Sequence, residues 1–448
     1  MAAVLARVPD LQRALDVVRL LHGPAEQAPA WLAVVRETAA GGDHTAALAL
    51  VEAMKHRPSR AEAAGVLAQV RARNGEHEQA LALAETIPYP HARLLAWAML
   101  AQAAADSGDH PWTLEFLDRA ERVETGHDEW TAPAIPVLIR AAAAVGDRDR
   151  TLAWIERLEE VARRESAART ALRAGRDESR SKTSPLSDTP TLQPLLRTVA
   201  GVGEHERAKA LLKSVRGKAP RAVATAAAAR ACAQYGDRVR ALRLARSIED
   251  PGHRAGALAA VADAAARAGD VDMINAVGEL VTNGEQLVDA AAVLAVGEAW
   301  ARVGAADRAE AWIRSIRTPA LRHEARAVVA EGLAVAGAFE RAEALARTLG
   351  DPELCAEVLA EVVSALALAG STGQAEAVAC SIQRSTWRAR ALAVVAVHAQ
   401  DPDARRLVVP ALERGDWPSV IEVLARVEPA AVAAIADESL LRAADRRR

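Results

Sequence analysis

Lysine is nearly absent from this 448-residue chain: only Lys55, Lys182, Lys209, Lys213 and Lys218 occur among 56 basic residues. Arginine supplies the rest, and together with the abundance of alanine this bias reads as GC-rich coding rather than as chemistry. Acidic residues number 59, which leaves a net charge of −3. The positive excess that a phosphate backbone demands is missing, so general nucleic-acid binding is not expected. Aromatic residues are as scarce, two Tyr, two Phe and nine Trp, although 51% of the chain is hydrophobic. Such a core must come from close helix contacts rather than from large rings. The three cysteines, Cys232, Cys355 and Cys380, stand at unrelated spacings. They suit neither a disulfide framework nor a zinc site and are read as buried thiols.

No stretch approaches the ~20 apolar residues of a membrane span. The opening residues, Met1 to Ala6 before Arg7 and Pro9, are too short and too polar for a signal-peptide core. A cytoplasmic protein without membrane partners is expected. Catalytic signatures are missing as well: there is no P-loop, no dinucleotide-binding glycine triplet after a strand, no zinc-protease helix and no nucleophile elbow. Gly201 and Gly203 flank Val202 without a preceding strand. Glu159 and Glu160 share one exposed helix, and His127, Asp128 and Glu129 read as a solvated turn. No catalytic residue, cofactor or metal is expected.

What the chain does have is a period. Glycines recur at Gly42, Gly75, Gly108, Gly146, Gly203, Gly236, Gly269, Gly304, Gly337 and Gly370, and seven of the nine steps are 33 or 35 residues. An acid follows seven of them: Asp43, Glu76, Asp109, Asp147, Glu204, Asp237 and Asp270. Glycine takes the left-handed conformation that ends a helix, and a carboxylate complements the start of the next, so each pair predicts a helix-turn-helix. Eight residues before each glycine the position is apolar, from Val34 to Val362, and three before it stands Ala every time, from Ala39 to Ala367. Eight and twelve residues after it the positions are again apolar, as in Leu83 with Ile87 and Trp312 with Ile316. These offsets fit one face of a helix and no strand.

Ala recurs five residues after the glycine at Ala47, Ala80, Ala208, Ala241, Ala309, Ala342 and Ala375. Seven before it stands a small residue: Ala68, Ala101, Ala229, Ala262, Gly297 or Ala330. In this pattern the chain resembles the tetratricopeptide-repeat family over most of residues 28 to 400. The period of 33 rather than 34, and the largely unfilled Trp, Tyr and Pro positions, keep a related α-solenoid class open. The resemblance implies an all-α, right-handed α-α superhelix (solenoid) of about 12 helical hairpins, with the first helix of each hairpin lining a ligand groove.

Six residues before each glycine the residue is polar in all ten repeats: Arg36, Gln69, Gln102, Arg140, Arg197, Arg230, Asp263, Glu298, Glu331 and Ser364. In the resemblance this offset is a ligand-contact position. The series is basic or neutral through Arg230 and acidic from Asp263, so it would orient an extended ligand by charge. The competing reading is a face that merely solubilises. Arg stands fifteen before the glycine at Arg60, Arg93, Arg221, Arg254 and Arg322, where it is expected to meet an acid or carbonyl of a neighbouring repeat. His44, His77, His110 and His205 follow the acids and are expected to be exposed. Trp154 and Trp312 are expected in the core, whereas Trp112, Trp130, Trp387 and Trp417 lie outside the register and either anchor a partner or pack on a neighbouring hairpin.

The organisation expected is an N-terminal capping helix over 1–22, a first repeat block over 23–173, a flexible loop over 174–190, a second block over 191–400, and degenerate capping repeats over 401–448. The function expected is a non-catalytic scaffold or adaptor that holds another protein or peptide. A ligand-sensing regulator is second, and a solenoid enzyme acting on nucleic acid is third.

Overall fold

The computed structural model describes residues 11–19, 24–123, 132–174, 191–215, 217–282, 290–413 and 420–445. Among them there is no strand and there are twenty-five helices. Helix α1 (Leu11–Arg19) precedes ten glycine-hinged hairpins. The first five pair α2 (Pro24–Ala40) with α3 (His44–Ala53), α4 (Arg57–Arg73) with α5 (His77–Glu85), α6 (Pro90–Asp106) with α7 (His110–Glu121), α8 (Ile135–Ala144) with α9 (Arg148–Ala174), and α10 (Leu192–Gly201) with α11 (His205–Ser214). The next five pair α12 (Lys218–Gln234) with α13 (Arg238–Arg246), α14 (Pro251–Arg267) with α15 (Val271–Thr282), α16 (Ala290–Arg302) with α17 (Ala306–Ser315), α18 (Pro319–Val335) with α19 (Phe339–Ala346), and α20 (Pro352–Leu368) with α21 (Thr372–Ser381). Then α22 (Ser385–His398) and α23 (Asp401–Glu413) repeat the arrangement without a glycine, and α24 (Ile421–Val427) and α25 (Pro429–Asp445) follow.

Residues 1–216 with 430–448 form one compact unit and residues 217–429 a second. Within each unit a first helix packs on its own second helix and on the first helices of adjoining hairpins, which makes each a stacked-hairpin solenoid. The hairpin of α10 and α11, which the sequence reading places in the second block, belongs to the first unit. Apart from Ala174 the expected loop lies outside the described residues, as do residues 127–129, Trp130, Trp417 and Arg446 to Arg448.

The turns explain two invariant residues at once. All ten glycines have positive φ, from 67° at Gly269 to 93° at Gly236. In every turn the glycine N–H donates to the carbonyl of the Ala three residues earlier, as from Gly75 to Ala72 at 3.0 Å. The next N–H then reaches five residues back, as from Glu76 to Arg71 at 2.9 Å. These are the two bonds of a Schellman cap. Aspartates at the turn also cap the second helix: Asp43, Asp109, Asp147, Asp237 and Asp270 accept from the N–H three residues on. Glu76 and Glu204, one methylene longer, make no such bond.

The side chain eight before the glycine, from Val34 to Val362, is fully buried in all ten hairpins. So are the small residues seven before it and the alanines five after it, which let helix axes approach to about 8–10 Å. Burial of each Val or Leu contributes about 1.5–3 kcal/mol. Gly297 shows the limit of this packing. An added Cβ would stand 3.1 Å from Val329 Cγ2 and 3.2 Å from Trp312 Cδ1, so glycine at the small position makes room for the indole.

Several expectations need correction. Trp154 is buried, but Trp312 is half-buried, with its indole N–H donating to the Val293 carbonyl at 2.9 Å. Only Cys232 of the three thiols is buried; Cys355 is half-buried and Cys380 exposed, because Cys380 lies on the outer side of α21. His110 is exposed, yet His44 and His205 are half-buried and His77 is buried. The reason is a ladder between turns. His44 Nε2 lies 3.2 Å from Glu76 Oε1, and His77 Nε2 lies 3.1 Å from Asp109 Oδ2. Arginines at the same register do likewise, Arg148 to Glu204 at 3.2 Å and Arg238 to Asp270 at 3.1 Å. The residue opening one second helix thus meets the turn acid of the next hairpin.

Candidate functional site

The polar series lies on the first helices, two residues beyond the fully buried position and one beyond the small one. Two residues turn a helix by about 200°, so a side chain at this offset points away from the core. None of the ten is buried: Arg36 and Arg197 are exposed, and Gln69, Gln102, Arg140, Arg230, Asp263, Glu298, Glu331 and Ser364 are half-buried. First helices stack on first helices, which sets consecutive members of the series side by side within a unit.

The first unit carries Arg36, Gln69, Gln102, Arg140 and Arg197. Gln102 Nε2 donates to Asp106 Oδ1 at 2.7 Å, while the three arginines make no ion pair among the described residues. The second unit carries Arg230, Asp263, Glu298, Glu331 and Ser364. Arg230 keeps its Nε buried and without a hydrogen-bond partner among the described residues. Asp263 accepts from Arg267 at 2.8 Å and from Arg302 at 2.7 Å, and Ser364 donates to the Ala360 carbonyl at 2.9 Å.

Two carboxylates of this series are perturbed. Burial pushes the Glu298 carboxyl above the ordinary value, against the pull of Arg302 and with a smaller push from Asp263. Burial likewise raises Glu331, and here the charges of Glu361, Glu298 and Glu357 add to it. Glu357 and Glu361 escape the sequence reading because they sit on the same face of α20 thirteen and nine residues before the turn, outside the one offset that stays polar throughout.

Other expected features are structural. Arg322 donates from Nε and Nη2 to the Ile316 carbonyl at 2.9 and 2.6 Å, and Arg254 reaches the Ile248 carbonyl at 3.5 Å. In these two hairpins the arginine fifteen before the glycine closes the end of the preceding second helix. Trp112 packs on the preceding hairpin, its ring centroid 5.1 Å from His77, and lies 5.5 Å from Phe116 of its own helix. Trp387 donates to Glu353 Oε1 at 2.8 Å, under Arg390 at 5.3 Å from the ring centroid. An open cavity of about 680 Å³ is lined by Phe339, Leu366, Val378, Glu340, Arg341 and Gln374, mainly turn and second-helix residues away from the polar series.

No family model and no curated protein matches the chain. Among solved structures it is similar to Ton1535 from Thermococcus onnurineus NA1, at 17% identity over 79% of this chain and 95% of that one, with a TM-score of 0.26. It is similar to the pentatricopeptide repeat protein PPR10 from maize, at 13% identity over 97% of this chain and 68% of that one, with a TM-score of 0.34. A circular tandem repeat protein with novel repeat topology is similar at 17% identity over 100% of this chain and 96% of that one, with a TM-score of 0.23. Likenesses this distant say nothing of function.

The expectation of no general nucleic-acid binding is nonetheless overturned. It rested on a net charge of −3. Stacked helical-hairpin repeats can read single-stranded RNA by a few side chains at a fixed register in each repeat, whatever the charge of the whole chain. Net charge therefore excludes nothing for stacked hairpins.

Proposed function

We propose that the chain is a non-catalytic scaffold that holds extended segments of another polypeptide along its first-helix faces. One observation carries the reading: six residues before the glycine the side chain is polar and open to solvent in all ten hairpins, while its neighbours at eight and seven are buried. Among the described residues the first unit's Arg36, Arg140 and Arg197 make no ion pair, which favours an acidic segment there. A cytoplasmic location belongs to the same reading; no helix among the described residues is long and apolar enough to cross a membrane.

A second reading is single-stranded RNA along the first unit, where one Arg or Gln stands in each hairpin. Affinity capture with the native chain and with an Arg36→Glu, Arg140→Glu, Arg197→Glu variant, each with and without ribonuclease, separates the two. A protein partner lost by the variant and indifferent to ribonuclease supports the scaffold. An unchanged set of partners rejects the face as the site, and RNA lost by the variant replaces the first reading with the second.

A further inference from the structure

The second unit combines its acidic series with the two most exposed large hydrophobic side chains among the described residues. Leu368 is 74% exposed and Val335 69%. Both stand two residues before a turn glycine, four residues beyond Ser364 and Glu331, on the same face of α20 and α18. In the other eight hairpins this offset is polar (Arg73, Asp106, Gln234, Arg267 and Arg302) or small (Ala40, Ala144 and Gly201). Valine and leucine there have no packing partner to justify them.

The carboxylates around these two residues are crowded by the fold itself. Gly332 lets α18 approach α16 so closely that an added Cβ would stand 2.8 Å from Ala301 Cβ and 3.1 Å from the Glu298 carbonyl oxygen. That approach sets Glu331 beside Glu298, and α20 brings Glu357 and Glu361 on the other side, all four partly or fully open to solvent. Glu331, Glu357 and Glu361 make no ion pair among the described residues. The cation at the edge, Arg302, is held by Asp263 at 2.7 Å and stands 3.8 Å from Glu298. The face therefore carries uncompensated negative charge next to exposed aliphatic surface.

We infer that the face formed by α16, α18 and α20 binds a basic segment of another polypeptide, its Arg or Lys side chains meeting Glu331, Glu357 and Glu361 and its aliphatic side chains covering Val335 and Leu368. This rests on the scaffold reading and gives it a partner chemistry in the second unit. Carboxylates repel a phosphate backbone, and a purely polar partner leaves both aliphatic side chains in water, so neither fits both halves of the surface.

The test uses the full-length chain and fluorescent peptides of about a dozen residues: one alternating Arg and Leu among alanines, one with Glu for each Arg, and one with Ala for each Leu. Binding is read by anisotropy. The Arg-Leu peptide binds, and its affinity falls about tenfold in Glu331→Gln/Glu361→Gln and about tenfold in Val335→Ser/Leu368→Ser. Both controls bind at least about tenfold more weakly, and added salt weakens the Arg-Leu peptide. Thermal melting of each variant confirms that it is folded. Unchanged affinity in both variants overturns the inference. So does equal binding of the Glu-Leu peptide, or a labelled single-stranded RNA that loses affinity with the same substitutions. If a peptide binds but responds only to Arg140→Glu/Arg197→Glu, this face is excluded while the scaffold stands. If no peptide binds, both fail.

Discussion

His77 Nε2 lies 3.1 Å from Asp109 Oδ2, with the imidazole buried between the turn of its own hairpin and the turn of the next. The same carboxylate accepts from the Trp112 backbone N–H, and the indole of Trp112 lies 5.1 Å from the imidazole with the rings tilted by 32°. One acid thus caps a helix and ties two hairpins together.

Replacing His77 by Ala should cost about 1–3 kcal/mol, since it empties a buried site and takes the imidazole away from Asp109. His110 opens the next second helix but is exposed, so His110→Ala should stay within roughly 0.5 kcal/mol. Urea denaturation of the two variants measures the difference. Equal effects would remove the ladder as a source of stability.

Two glycines should respond to substitution in opposite ways. At Gly75, φ is +82° and a Cβ meets nothing within 4 Å, so the cost of Gly75→Ala is conformational, roughly 1–2 kcal/mol, and Gly75→Asn should recover part of it. At Gly332 the backbone is ordinary but a Cβ would stand 2.8 Å from Ala301 Cβ. Gly332→Ala should cost about 1–3 kcal/mol by overpacking, and Gly332→Asn more. Melting curves for the four variants decide whether Asn rescues at one site and worsens the other.

The thiols should separate by reactivity. Burial, helped by nearby Asp237, pushes the Cys232 thiol up to about 11. Burial raises Cys355 as well, against the pull of Arg347, and Cys380 is exposed. Alkylation at mildly alkaline pH, followed by mass spectrometry, should therefore modify Cys380 first and Cys232 only on unfolding. Early labelling of Cys232 would mean that α12 opens in the native state.

Glu331 predicts a pH dependence with a definite sign. Its folded-state value lies above the unfolded one, so the folded chain holds this proton more tightly. The stabilising contribution is complete below the ordinary carboxylate value and is lost as pH rises through the raised one. Glu331→Gln should raise the melting temperature at neutral pH, and the gain should shrink as pH falls toward the ordinary carboxylate range. Glu376 has the opposite sign. The hydrogen bond from Arg406 lowers it, so its contribution is present at neutral pH and lost on acidification. Melting Glu331→Gln and Glu376→Gln across the acid range tests both directions.

The turns and the buried positions could be read without coordinates because each depends on residues within one hairpin. The left-handed glycine, the alanine whose carbonyl it meets, and the apolar residue eight before it are separated by less than three helical turns. The polar series was legible for the same reason: its offset is defined against its own glycine. The pairing of His77 with Asp109 was not, because the two residues are 32 apart and meet only through the register of one hairpin on the next. Trp312 was misplaced on similar grounds. Its depth depends on Gly297 and Gly278, contributed by two other helices.

By itself, then, the sequence determined that this protein is a series of helical hairpins, where each one bends, and which side of each helix faces inward, since local conformation and helical periodicity suffice for all three. Only the tertiary structure decided which hairpins belong to a common unit, which charges are paired, and that Glu331, Glu357, Glu361, Val335 and Leu368 share one exposed face. Those outcomes depend on how closely adjoining helices approach, and that distance is set by side chains that lie far apart along the chain.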